Sequence, residues 1–261
     1  MRLTILALTA TFPLLYGAEW SKNFQTSDAP VLDVRCGDAN VDVRTGGTGI
    51  AARLITRGWE IRPGEVEVIE RQTGDRVDIE VKLPRNENWN WNIGNRGIKL
   101  ELQVPAKTRF HINTGDGNVK LSGLQADSRI ETGDGNIEGD NVAGRMEART
   151  GDGNVRIAGR FDLLAVQTGD GNVDLSATRG STATAAWRIQ TGDGNVSLEV
   201  PADMKMDLDA TTGDGHVRSS LPLLIGAGKV GGSQLRGKLN GGGPTISIRT
   251  NDGNITLNES R

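Results

Sequence analysis

Seven aspartates share one setting: Asp116, Asp134, Asp152, Asp170, Asp193, Asp214 and Asp252. Each is the third residue of a phrase written Thr-Gly-Asp-Gly-Asn-Val or a close variant of it. Carboxylates that recur in glycine turns are the donors of calcium loops, so cation binding is the first chemistry to weigh. If the copies stack, neighbouring carboxylates stand about 5 Å apart, and each exposed pair repels by ~1 kcal/mol in a water-like dielectric. A cation would relieve that. Against it, the calcium-binding nonapeptide solenoid carries a second glycine pair that is absent here. Each Asp also has the option of accepting a hydrogen bond from a backbone N–H two residues on in its own turn. The reading assigns no metal and no cofactor, with a calcium-loaded solenoid as the open alternative.

A second candidate lies at residues 85–96, where Trp89 and Trp91 alternate with Asn between Arg85 and Arg96. Exposed aromatic faces beside amide side chains can stack on sugar rings and bond their hydroxyls. The bland alternative tucks one Trp under neighbouring strands while the Asn residues make turns. Trp89 and Trp91 are the ligand-contact candidates, and a carbohydrate-binding solenoid is the corresponding alternative function. Catalysis has less support. A polysaccharide-active β-helix needs carboxylates clustered with basic residues in a groove, whereas the repeat spreads acids evenly. His111 falls outward on a strand and His216 replaces a turn Asn, and neither has a motif partner. The glycine phrases are not dinucleotide fingerprints, because no helix follows them. No catalytic residue is assigned; the chain reads as non-enzymatic, with a polysaccharide-active enzyme as the rival.

The repeat itself must position these residues. Its first four copies start at 114, 132, 150 and 168, a period of 18, and later starts fall at 191, 212 and 250. Before each phrase, residues two and four positions ahead of the Thr are mostly apolar (Ile112 and Phe110, Val166 and Leu164, Ile248 and Ile246). After it, the closing Val or Ile shares a face with the residue two later (Val119 and Leu121, Val196 and Leu198). Period two on both sides of a turn means strand, turn, strand, with one face buried. One such rung cannot bury its inner face alone, but copies stacked ~4.8 Å apart can. The expected fold is all-β: a single-stranded β-solenoid, or β-helix, of ~18–21-residue rungs. About eight rungs from residue 106 to the end would make a rod on the order of 40 Å long. Val230–Leu235 fits the phrase in eroded form as a further rung, and Leu124, Val142 and Phe161 would close a second corner.

Within the phrase, Gly supplies the φ > 0 of a sharp corner, Asp pins the turn and Thr points inward. Outward positions after the closing residue read Lys120, Glu138, Arg156, Asp174, so the sign alternates along the stack. Cross-strand pairs of this kind contribute roughly 0.2–1 kcal/mol each.

Residues 1–18 read as a secretory signal peptide: Arg2, the apolar run Leu3–Leu15, then Tyr16-Gly17-Ala18. Residues 19–30 are polar and expected to be loose. Strand signals over residues 31–104, with a tight hairpin turn at Thr73-Gly74-Asp75-Arg76, make 19–105 an irregular antiparallel β cap, continuous with the solenoid at 106–261. A cap keeps an open strand edge from aggregating. The lone Cys36 cannot form an intramolecular disulfide, and 30 basic against 33 acidic residues give no basic excess for nucleic acid. No second apolar stretch approaches ~20 residues, so the mature chain is expected to hold no transmembrane segment.

"Val-Pro-Ala-Lys" at 104–107 entering the first full phrase, the repetition, and the closing Gly-Gly-Gly-Pro…Ile-Arg-Thr-Asn-Asp-Gly-Asn-Ile resemble the bacterial family called putative adhesins, from about residue 30 onward. The resemblance, to exported β-strand repeat domains of unknown function, implies a β-helical shape and a cell-envelope or secreted location (periplasm, cell surface or secreted); the expected partner is an envelope protein or glycan. It carries no catalytic residues to transfer.

Overall fold

The structure is a computed structural model that describes residues 17–84, 97–224 and 232–260. Among these there are twenty strands and no helix. The first seven are β1 (Glu19–Phe24), β2 (Val31–Cys36), β3 (Asn40–Thr45), β4 (Ile50–Arg57), β5 (Glu67–Thr73), β6 (Arg76–Lys82) and β7 (Gly97–Val104). There follow β8 (Arg109–Asn113), β9 (Val119–Ser122), β10 (Ser128–Glu131), β11 (Ile137–Arg149), β12 (Val155–Gln167), β13 (Val173–Ala177), β14 (Trp187–Gln190) and β15 (Val196–Val200). The last five are β16 (Met206–Thr212), β17 (Val217–Ser219), β18 (Gln234–Leu239), β19 (Thr245–Thr250) and β20 (Ile255–Glu259). All belong to one sheet.

The sheet is wound into two columns joined by the phrase turns. Down the column before the turn, the pairing order is β5, β6, β2, β8, β10, β11, β12, β14, β19, β16, β18. Down the column after it, the order is β1, β4, β7, β3, β9, β11, β12, β13, β15, β20, β17. Equivalent residues lie side by side: Ile112 against Ile130, Val119 against Ile137, Val155 against Val173. The apolar positions read from the sequence are buried, from Leu32 and Val41 to Ile255 and Leu257, and so are Leu124, Val142 and Phe161 at the second corner. Phe161 meets Trp187 edge-on with ring centroids 6.2 Å apart.

Layers do not follow one another in chain order at the two ends. β2 and β3 lie between β6–β7 and β8–β9, while β19 and β20 lie between β14–β15 and β16–β17. Strands on both sides of residue 105 therefore share one stack, and among the described strands antiparallel pairing is confined to β1–β4–β7, β5–β6 and β16–β18. Two expectations change. Residues 19–24 form β1 against β4 rather than a loose end, because alternate side chains such as Trp20 and Phe24 turn toward the core. The stretch expected as an eroded rung enters β18, which runs antiparallel to β16; Val230 and Gly231 lie outside the described residues. The turn at Gly74-Asp75 is the hairpin expected, with Gly74 at φ 58°.

The phrase turns are built differently from expectation. None of their glycines has a positive φ. Instead, a Cβ on the second glycine of each turn would overlap a carbonyl oxygen of the layer beneath: Gly135 against Gly117 O, Gly153 against Gly135 O, Gly171 against Gly153 O. Glycine is required by close approach. Nor does Asp pin its own turn: Asp116 Oδ1 accepts from the N–H of Asp134 one layer on, at 3.3 Å. The internal pin is threonine. Gly153 N–H donates to Thr150 Oγ1 at 3.3 Å, and that buried hydroxyl lies 2.8 Å from Gly135 O in the next layer. Asn forms a ladder the sequence reading missed: Asn118 Oδ1 accepts from Asn136 N (2.8 Å) and Nδ2 (2.9 Å), and the pattern recurs from Asn40 to Asn254.

These roles rank substitutions in one turn. Gly153→Ala forces a Cβ onto a backbone oxygen and should lower the thermal midpoint by several degrees, the shift of ~1–3 kcal/mol of overpacking. Thr150→Val strands a buried N–H and should cost ~1–3 kcal/mol. Asp152→Ala, at an exposed site, should cost less than either. Calorimetry of the three variants side by side checks the order.

Candidate ligand-contact face

The column after the turn presents a long outward face whose residues register across strands. One row runs Arg53, Glu101, Asp42, Lys120, Glu138, Arg156, Asp174 on β4, β7, β3, β9, β11, β12 and β13. The next row is smaller: Ala51, Gln103, Arg44, Ser122 and Asp140. Period-two alternation sends these side chains out because their neighbours Leu102, Val43 and Leu121 fill the core. Two surface depressions follow the rows, of about 540 and 580 Å³, and Asp42 and Arg44 line both. The first continues over Ser21, Ala51, Arg53 and Gln103, the second over Lys120, Ser122, Glu138 and Arg156.

Charges on this face are paired. Arg53 meets both oxygens of Glu19 at 2.7 and 2.9 Å, and Lys99 lies 2.8 Å from Glu101 and 3.4 Å from Asp42. Arg44 grips the two Asp42 oxygens at 3.1 and 3.0 Å. Further on, the alternating column closes two by two, Lys120 with Glu138 at 2.8 Å and Arg156 with Asp174 at 3.0 Å.

Titration follows the pairing. The hydrogen bond from Arg53 holds Glu19 below the ordinary carboxylate range. Burial pushes Asp42 up, but its bonds to Arg44 and Lys99 outweigh that and hold it low. Bonds to Glu101, Asp42 and Glu19 hold Lys99, Arg44 and Arg53 above their usual values. A general acid or base works best with a pKa near the operating pH; these groups are driven the other way, into fixed charge. The arrangement suits electrostatic recognition of a zwitterionic or alternately charged surface.

The column before the turn holds two further hubs. Asp33, almost buried, faces Arg76 at 3.2 Å, Arg35 at 3.4 Å and His111 Nδ1 at 3.2 Å. His111, which had no motif partner in the sequence, finds one through the β2–β8 pairing, a contact no local pattern announces. Glu131 sits between Arg129 at 2.6 Å and Arg149 at 3.6 Å, and the Arg129 bond holds it below its ordinary range. His216 takes the Asn slot, its N–H donating to Asn254 Oδ1 at 3.1 Å. Burial pushes the Cys36 thiol up to about 12, and Cys36 occupies the Thr slot beneath Thr114. Trp89 and Trp91 lie outside the described residues, as do residues 1–16 of the expected signal. Among the described residues no group of three or more His, Cys, Asp or Glu could hold a metal ion, and no helix is long and apolar enough to cross a membrane.

A stack of this kind, with repeat-set turns and broad charged faces, defines a β-strand repeat protein built around its surfaces. The chain belongs to the Toastrack DUF4097 family, whose model matches residues 31–258, in keeping with the resemblance read from the phrase. Similar solved structures include a putative cell adhesion protein from Clostridium sporogenes at 12% identity, covering 94% of this chain and 100% of that one, with a TM-score of 0.46. Others are putative adhesins from Parabacteroides merdae (9% identity, 94% and 97% covered, TM-score 0.43) and Bacteroides fragilis (9%, 93% and 97%, 0.34). None of the curated proteins matches the chain.

Glu19, Asp42 and Glu131 protonate less readily folded than unfolded. Their stabilisation is fully present above the unfolded values of about 3.9–4.3 and is lost as pH falls through the lower folded ones. The thermal midpoint should therefore hold steady down to about pH 5 and decline below it. Arg129→Gln should lower the midpoint near neutrality and flatten the acid decline, because Glu131 then titrates closer to its unfolded value. Melting curves across pH, for wild type and variant, check both.

Proposed function

We propose that this chain is an exported, non-enzymatic β-solenoid with rungs of about 18–21 residues and an antiparallel cap on its N-terminal side, acting in the cell envelope as an adhesin-like binding or structural module. The parallel register of equivalent turns, 18 residues apart through the middle of the stack, supports the solenoid reading. The antiparallel β1, β4 and β5 at one end support the cap. One observation carries the binding role: the row from Arg53 to Asp174, in which fixed charges stand one strand apart over a shallow trough. Such a face recognises an extended partner, an envelope protein or a glycan with charged groups, laid across the strands.

Export draws support from the Arg2–Ala18 signal pattern. The non-enzymatic reading draws support from carboxylates held in ion pairs rather than poised for proton transfer.

The test is co-sedimentation of the mature chain with purified envelope fragments. Wild type should bind and be released as salt rises past the point where the Debye length falls below ~8 Å. Lys120→Gln with Arg156→Gln should lose most of the binding at a cost of no more than about 1 kcal/mol per broken pair in stability, since both sites are exposed and exposed ion pairs contribute little. Loss of binding only in Trp89→Ala/Trp91→Ala would move the contact to that loop. Release of sugar fragments from an acidic polysaccharide would sink the non-enzymatic reading.

A further inference from the structure

The strand pair β19–β20 is a wedge. β14–β15 and β16–β17 are consecutive in sequence, yet β19 lies between β14 and β16, and β20 between β15 and β17. On one side Thr250 Oγ1 lies 2.8 Å from Gly194 O, and Asn254 N–H donates to Asn195 Oδ1 at 2.9 Å. On the other, Thr212 Oγ1 donates to Gly253 O at 2.7 Å and His216 N–H to Asn254 Oδ1 at 3.1 Å. Ile246, Ile248, Ile255 and Leu257 are fully buried in the slot. These contacts repeat those of every interior layer, and none depends on the wedge being joined to the chain it fills.

The join is a single link, Asn240–Pro244, which crosses the start of β16 to carry the chain from β18 to β19. Asn240, Gly241 and Gly242 stand at φ 52°, 88° and 86°, a left-handed run that includes a non-glycine residue. The Asn240 amide holds the bend by donating to Ala202 O and Met204 O at 2.7 and 2.9 Å.

We propose that β19–β20 is exchangeable, so that the wedge of one chain fills the slot between β14–β15 and β16–β17 of a second copy and a reciprocal dimer results. The occupant is set by the slot's chemistry. It must carry glycine at the position of Gly253, where a Cβ would overlap Gly194 O, threonine at Thr250, and apolar residues at 246, 248, 255 and 257. A second copy of this chain supplies all of these in register. Exchange creates no new interface, keeps every bond of the wedge, and lets the link leave its left-handed bend; swapping an identical element is for this reason a low-cost route to dimers. Two faces would then be joined in one assembly, raising avidity for an extended partner.

Paired cysteines in the full-length chain test this. Ser197 and Thr256 are neighbours across β15 and β20, and adjacent strands stand about 4.8 Å apart, within disulfide reach. Two single variants, Ser197→Cys and Thr256→Cys, are unfolded, mixed, refolded at high concentration and only then oxidised, when Cys36 is buried. The expected result is a disulfide-linked dimer. The mixture of Lys120→Cys and Glu138→Cys, neighbours across β9 and β11 that the wedge does not carry, should give none. The double variant Ser197→Cys/Thr256→Cys, refolded dilute, should close within one chain. The proposal is overturned if the first mixture cross-links no more than the second, or if light scattering finds monomer alone after concentrated refolding.

Discussion

Successive turns in this protein approach so closely that a carbonyl oxygen of one layer occupies the space where the next would place a Cβ. That contact runs from Gly117 over Ala39 O to Gly215 over Gly253 O, and the rest of the architecture depends on it. It sets the layer spacing at the corner, which lets the strands on either side pair in register and the apolar positions meet their equivalents. Threonine then closes the turn from inside, accepting from the second glycine's N–H and reaching down to the layer beneath. Asparagine and aspartate tie layer to layer from outside. A repeated sequence is thus repeated geometry, each copy supplying half of a contact that its neighbour completes.

Among the described residues the interior is filled by apolar side chains and a column of threonines, and the charged groups stand on the faces. There the same register that stacks the core stacks the charges. Lys120 with Glu138 and Arg156 with Asp174 are side by side because β9, β11, β12 and β13 are. Each exposed pair contributes little stability. Together they present a fixed pattern one strand apart, which a flexible surface of the same charges would not offer.

Ends are where a stack of strands is exposed to unwanted pairing. Here the chain winds back at both: β2–β3 is enclosed by β6–β7 and β8–β9, and β19–β20 by β14–β15 and β16–β17. Antiparallel β1, β5 and β18 then close three of the four column ends and β17, parallel to β20, the fourth, with Lys22 of β1 bonded to Glu70 of β5 at 2.6 Å across one end. Charged side chains on edge strands discourage edge-to-edge addition.

Much of this was legible in the residues. Strand, turn and the inward or outward sense of each side chain follow from period-two alternation around a fixed phrase, since each depends on neighbours along the chain. The buried threonines, the Gly74 hairpin and the family all followed from the same pattern. The reasons for Gly and Asp did not, because a turn considered singly suggests backbone torsion and self-capping, while the operative contacts reach to another copy. Nor did the His111–Asp33 contact, which joins residues 78 apart. What the sequence determined by itself was the shape of one layer and its need for neighbours. Which layer became whose neighbour was decided by the tertiary structure: near-identical turns are interchangeable locally, and only closing the ends of the whole stack tells them apart.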